Sequence, residues 1–78
     1  MYALEYSDKA KRFLKRLDRH ILERIFKRIE RLQNDPVPAD AKFMGREEGE
    51  KVFRYRIGDY RALYKVKEQE KVILITNR

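Results

Sequence analysis

The chain has 78 residues, room for one domain with a single core of modest size. Twenty Lys and Arg against thirteen Asp and Glu leave a formal net charge of +7, which points to a polyanion as the large partner. The absence of cysteine excludes a disulfide framework, a thiolate metal site and a cysteine nucleophile; one histidine, His20, cannot build a histidine metal site, and three glycines cannot build a phosphate-cradling loop.

No apolar run approaches the ~20 residues of a membrane span, and the N-terminus lacks a basic segment followed by an apolar stretch, so the chain is expected to be cytoplasmic. Tyr2, Leu4 and Tyr6 alternate with Ala3 and Glu5, as in a short strand with one buried face. Ser7 is placed to cap a helix over about Asp8 to Leu17, with Ala10, Phe13, Leu14 and Leu17 at i, i+3, i+4, i+7. Asp18 is the next cap. From there to about Gln33, Ile21, Leu22, Ile25, Phe26, Ile29 and Leu32 form a second apolar stripe opposite a charged face, on which Glu23 and Lys27 are spaced to pair. The short link predicts an antiparallel helix hairpin.

Asp35-Pro36 and Pro38 end the second helix. A loop is expected from Ala39 to Glu50, within which only Lys42-Phe43-Met44-Gly45 has packing potential. From Lys51 to Lys67 the residues alternate again. Phe53, Tyr55 and Ile57 fall on one face, Val52, Arg54 and Arg56 on the other, and Gly58-Asp59 suits a two-residue type II′ turn. That turn sets the register: Ile57 opposite Tyr60, Arg56 opposite Arg61, Tyr55 opposite Ala62, Arg54 opposite Leu63, Phe53 opposite Tyr64 and Val52 opposite Lys65. A last strand, Lys71 to Thr76, is apolar on both faces and therefore inner or covered. The fold class is α+β, β-α-α-β-β-β, a helix hairpin packed on a mostly antiparallel four-stranded sheet, in one domain over residues 1–78.

The carboxylates are dispersed among lysines and arginines, the pattern of solvated helix faces rather than of a paired-carboxylate site. The hairpin face carrying Arg54, Arg56, Arg61 and Lys65 is different, because it sets Arg56 directly across from Arg61. Like charges so placed cost stability, and an anion between them offsets the cost. Phosphodiester transfer needs such groups: negative charge grows on the nonbridging oxygens in the transition state, and arginine meets it with planar, multidentate hydrogen bonds. Two readings stay open on the residues alone, a phosphate site and a solvated or partner-covered sheet face. Tyr60, beside Arg61, is either a base-stacking residue or a cross-strand packer.

The segment Phe53 to Val66, FRYRIGDYRALYKV, resembles the core signature of the RelE branch of the RelE/ParE toxin superfamily, its archaeal members especially. The proline-containing loop at Asp35-Pro36 and the Lys-x-x-Gly step from Lys42 to Gly45 precede it in the family's order. The resemblance implies a toxin of a type II toxin–antitoxin system that enters the ribosomal A site and cuts mRNA by 2′-hydroxyl attack, with no metal or organic cofactor. It implies that Arg61 stabilises the transition-state phosphate and that Arg54, in place of a family lysine, and Arg56 hold RNA or promote proton transfer, as catalytic residues with Arg61. Arginine keeps its proton at neutral pH, so the Arg54 role is electrostatic. RNA contacts are expected from Lys42, Tyr60 and Lys65, and from Lys27 and Arg31 on the second helix. Val52 stands where some members have a further lysine. The family continues past the last strand into a basic segment with a catalytic arginine and a stacking tyrosine, whereas this sequence ends at Thr76-Asn77-Arg78; Arg78 is the one candidate for that arginine. Two other functions are consistent with the same resemblance, a ParE-like toxin that binds DNA gyrase and a catalytically weakened toxin that only binds antitoxin. All imply a RelB-like antitoxin, acidic where it meets the basic face.

Overall fold

The computed structural model describes residues 1–76. In chain order they form β1 (Ala3–Tyr6), α1 (Asp8–Leu14), α2 (Arg19–Glu30), a 3₁₀ turn (Arg31–Gln33), β2 (Ala41–Glu47), β3 (Glu50–Ile57), β4 (Tyr60–Lys67) and β5 (Val72–Ile75). The strands make a five-stranded sheet in the order β1-β5-β4-β3-β2. All neighbours are antiparallel except β1 and β5, which run parallel. The expected class holds, and the expected strand count is one short. The fifth strand is β2, built from the stretch expected as a loop.

Local chemistry accounts for each helix. The Ser7 hydroxyl accepts from the Ala10 N–H at 3.1 Å and donates to the Thr76 carbonyl at 3.3 Å, so one side chain caps α1 and ties it to the end of the sheet. α1 is a turn shorter than its apolar spacing suggests, because the chain tightens after Leu14, with Arg16 and Leu17 donating to Phe13 and Leu14. Asp18 takes the extended cap conformation before α2 without a side-chain hydrogen bond. On the polar face of α2 the ion pair forms between Arg19 and Glu23, at 3.5 Å, rather than between Glu23 and Lys27. Both side chains are solvent-exposed, so it contributes little.

The hairpin register is the one set by the turn, from Ile57 opposite Tyr60 to Val52 opposite Lys65. Gly58 has φ 60° while Asp59 stays at negative φ, as a type II′ turn requires. A Cβ at Gly58 would only touch Arg24 Nη1, at 3.5 Å, so the cost of Gly58→Ala is conformational. We expect it to lose ~1–2 kcal/mol in urea denaturation.

Alternation then decides what is buried. Phe53, Tyr55, Ile57, Tyr64, Val66, Ile73 and Ile75 point to the helix side and close the core against Ala10, Ile25, Ile29 and Leu32. β5 is an inner strand, as its two apolar faces indicate. The helices cover only this side. The other face of the sheet is open, and it carries the alternate residues of β3 and β4.

Candidate functional site

The open face is where the hairpin's arginines lie. Arg54 pairs with Lys42 of β2 on one side and Leu63 of β4 on the other, so Lys42, Arg54 and Leu63 form one row across the sheet. Two residues nearer the turn, Arg56 and Arg61 form the next row. Arg54 and Arg61 are thus diagonal neighbours and converge on a shallow cleft of about 200 Å³, with Leu63 and Met44 as the other lining residues. Arg56 and Arg61 are exposed and Arg54 is half-buried. No carboxylate lies within 4.0 Å of any of the three among the described residues. The arrangement offers two unpaired guanidinium groups over an apolar floor, with a lysine beside them, which suits a phosphodiester.

Met44 reaches this cleft because β2 is irregular. Phe43 pairs with Phe53 and Gly45 with Val52, leaving Met44 as the extra residue of a β-bulge, and Gly45 takes φ 122° there. Bulges re-aim side chains. The hairpin that brings β2 in turns at Glu48-Gly49, both at positive φ.

The strand beneath the arginines is held from the helix side. Arg28 of α2 donates through Nε to the Tyr55 hydroxyl at 3.2 Å, and through Nη2 to Asp40 at 2.8 Å and to the Arg56 carbonyl at 3.4 Å. The hydrogen bond to Tyr55, with the Asp40 charge adding to it, holds the Arg28 pKa above the usual arginine range. Arg24 lies against the turn at Gly58. Neither arginine stands out in the sequence, where both are two more cations on a charged helix face.

The remaining expected contacts are not all brought to the arginines. Lys42 is. Lys65 is on the open face, but Glu47 meets its charge at 3.1 Å and raises its pKa, and its side chain is only 17% exposed, so it does not present a free cation. Tyr60 faces the helix side, opposite Ile57, with its ring edge-on to Phe13 at 6.2 Å; it is the cross-strand packer rather than a neighbour of the arginine cleft. Lys27 and Arg31 are exposed on the solvent side of α2 and its 3₁₀ continuation, with the sheet between them and the open face. Arg78 lies outside the described residues. His20 is exposed, and no cluster of metal-ligating side chains occurs among the described residues. No described helix is long and apolar enough to cross a membrane.

A helix hairpin packed on one face of a five-stranded sheet in the order β1-β5-β4-β3-β2 is the fold of RelE-like toxins. The arrangement is shared with a chain of the archaeal RelE–RelB complex from Pyrococcus horikoshii, at TM-score 0.87 and 26% identity over 97% of this chain and 90% of that one. It is shared likewise with a chain of the toxin–antitoxin complex RelBE2 from Mycobacterium tuberculosis, at 0.78 and 27% over 95% and 90%. The isolated E. coli RelE toxin has the same fold at 0.78 and 19% identity, over 99% of this chain and 81% of that one. Residues 4–77 match the family described as ParE toxin of type II toxin–antitoxin systems, parDE. No curated protein matches in sequence. The chain belongs to the RelE/ParE superfamily as a toxin of a type II toxin–antitoxin system, with a RelE-like fold.

Proposed function

We propose that the protein is a ribosome-dependent endoribonuclease that inhibits translation by cutting mRNA in the A site. The observation that carries this reading is the convergence of Arg54 and Arg61, both free of carboxylate partners, on one cleft of the open face beside Lys42. In this reaction the 2′-hydroxyl oxygen attacks the adjacent phosphorus and the bond to the 5′-oxygen breaks, giving a 2′,3′-cyclic phosphate and a 5′-hydroxyl. Arg61 and Arg54 stabilise the charge that grows on the nonbridging oxygens. Arg56 and Lys42 hold the flanking backbone. Guanidinium groups do not take up the 2′ proton at neutral pH, so the arginines of this cleft act through charge and hydrogen bonding, and the proton transfers fall to Arg78 or to water.

The partner we assign is an antitoxin of the RelB kind. Its support is that the similar P. horikoshii and M. tuberculosis structures are toxin–antitoxin complexes, together with the +7 net charge of this chain, which favours an acidic segment. The test of the nuclease is primer extension on a defined mRNA in ribosomes stalled with an empty A site. A new 5′ end within the A-site codon is the expected result. The family match to ParE toxins favours a second reading, gyrase binding, and inhibition of gyrase by folded protein that leaves mRNA intact would replace the first reading with it.

A further inference from the structure

Between Asp8 and Arg16 the sequence sets Lys9, Lys11, Arg12, Lys15 and Arg16 against the single carboxylate of Asp8. Helical spacing divides these cations between two surfaces. Lys11 and Lys15 rim an apolar groove walled by Tyr6, Leu14, Leu22 and Phe26. Lys9, Arg12 and Arg16 lie on the other side and surround, with Phe13, an open depression of about 290 Å³. All three cations are exposed, and none has a carboxylate within 4.0 Å among the described residues. Like charges three and four residues apart weaken a helix, so this face gains from an anion.

Phe13 joins this surface to the arginine tip. Its ring meets Tyr60 edge-on at 6.2 Å, and Phe13, Tyr60 and Arg61 line one small cavity together. Tyr60 and Arg61 are the first two residues of β4 after the turn, so the Lys9, Arg12 and Arg16 face ends at the turn end of the hairpin, and Arg61 lies past that end on the opposite face of the sheet. A ligand that reaches from one to the other must bend sharply over a molecule whose longest extent is 34 Å, which a single strand of nucleic acid does and a duplex resists. The groove on the far side of α1, with its apolar walls, is the surface suited to a protein helix. The Lys9 face offers mainly charge.

We propose that Lys9, Arg12 and Arg16 form a second phosphate-binding surface, which holds the flank of a single RNA strand whose scissile phosphate lies at Arg54 and Arg61. The identity of the strand as a substrate rests on the nuclease reading; binding at α1 does not.

The experiment is equilibrium binding of a fluorescein-labelled, fully 2′-O-methylated uridine oligomer, which has no 2′-hydroxyl to react, followed by anisotropy across a salt series. Each neutralised single-strand phosphate adds about 0.7 to the slope of log affinity against log salt. The triple variant Lys9→Gln/Arg12→Gln/Arg16→Gln should thus lose about 2 from the slope, while Lys11→Gln/Lys15→Gln, on the other side of the same helix, should change it little. Arg12→Gln alone, with an expected change of about 0.7, serves if the triple variant does not fold. Equal changes per charge in the two sets would mean diffuse attraction and overturn the proposal. So would an unchanged slope in the Lys9 set, including the case where those variants instead lose affinity for an acidic peptide. Because the oligomer cannot be cut, these outcomes stand whether or not the protein proves to be a nuclease.

Discussion

Arg61→Ala should lower A-site cleavage by roughly 10²–10³-fold, the loss seen when one preorganised donor to a transition-state oxyanion is removed. It should also leave the protein folded and slightly more stable. Both expectations come from the same geometry. Arg61 is exposed, lines the cleft with Arg54, and stands directly opposite Arg56 with no carboxylate near it. Removing it takes a charge from the phosphate site and relieves a like-charge cross-strand pair that costs ~0.2–1 kcal/mol. Activity and stability therefore move in opposite directions, which a purely structural arginine would not produce. Arg56→Ala relieves the same pair but leaves the Arg54–Arg61 cleft intact, so its loss of cleavage should be smaller. Arg61→Lys keeps the charge without the planar fork and should fall between alanine and the parent. Primer extension measures the activities and urea denaturation the stabilities. An Arg61→Ala protein that cuts like the parent would remove Arg61 from the site.

The parts of this molecule that were legible in the sequence are those where one local rule acts alone. Ser7 reads as a cap because nothing competes with its hydroxyl for the Ala10 N–H. The β3–β4 register follows from Gly58 alone: once a two-residue turn is fixed, each pair down to Val52 and Lys65 is determined. The arginine cluster was legible for the same reason, since register and alternation together place Arg56 and Arg61 side by side. β2 was not legible, because the bulge at Met44 breaks its alternation and its turn uses Glu48 at φ 54°, where a Glu is not an expected turn residue. With β2 unseen, the site lost one wall. Lys42 was placed by resemblance only, and Met44 was not placed at all. Side chains whose partners come from distant elements were equally hidden. Nothing in the spacing of Lys65 announces Glu47, and nothing in that of Arg28 announces Tyr55 and Asp40. Tyr60 shows the limit from the other side. Its neighbour Arg61 suggested a base-stacking role, yet adjacent residues of a strand point to opposite faces, and its ring goes to Phe13.

The largest effect on stability should come from Tyr64, the central side chain of the core. It is fully buried, stacks on Phe53 with ring centroids 5.5 Å apart, meets Tyr55 edge-on at 6.5 Å, and donates its hydroxyl proton to the Pro36 carbonyl at 2.7 Å. That one bond ties β4 to the segment leading from α2 into β2. Tyr64→Ala removes the ring and should cost ~3–5 kcal/mol, about as much as a domain of this size has in total, so the chain should be largely unfolded by circular dichroism. Tyr64→Phe keeps the ring and gives up the hydrogen bond, at ~1–2 kcal/mol including the partly buried Pro36 carbonyl left without its donor. The pair separates packing from hydrogen bonding. Alkaline pH supplies a third measurement. Burial, with the Tyr55, Asp35 and Asp40 charges adding to it, pushes the Tyr64 pKa above the usual tyrosine range. The unfolded chain therefore loses this proton first, near pH ~10. Above that pH the unfolded state binds fewer protons than the folded one, and stability must fall as pH rises. Tyr6, raised by burial, and Lys65, raised by its hydrogen bond to Glu47, act in the same direction, so Tyr64→Phe should retain part of the alkaline loss but not all of it. Urea denaturation at pH ~8 and at pH ~10.5 should then bring the parent and the phenylalanine variant closer together at the higher pH. A gap that stays constant would mean that the Tyr64 hydroxyl is not held protonated by the fold.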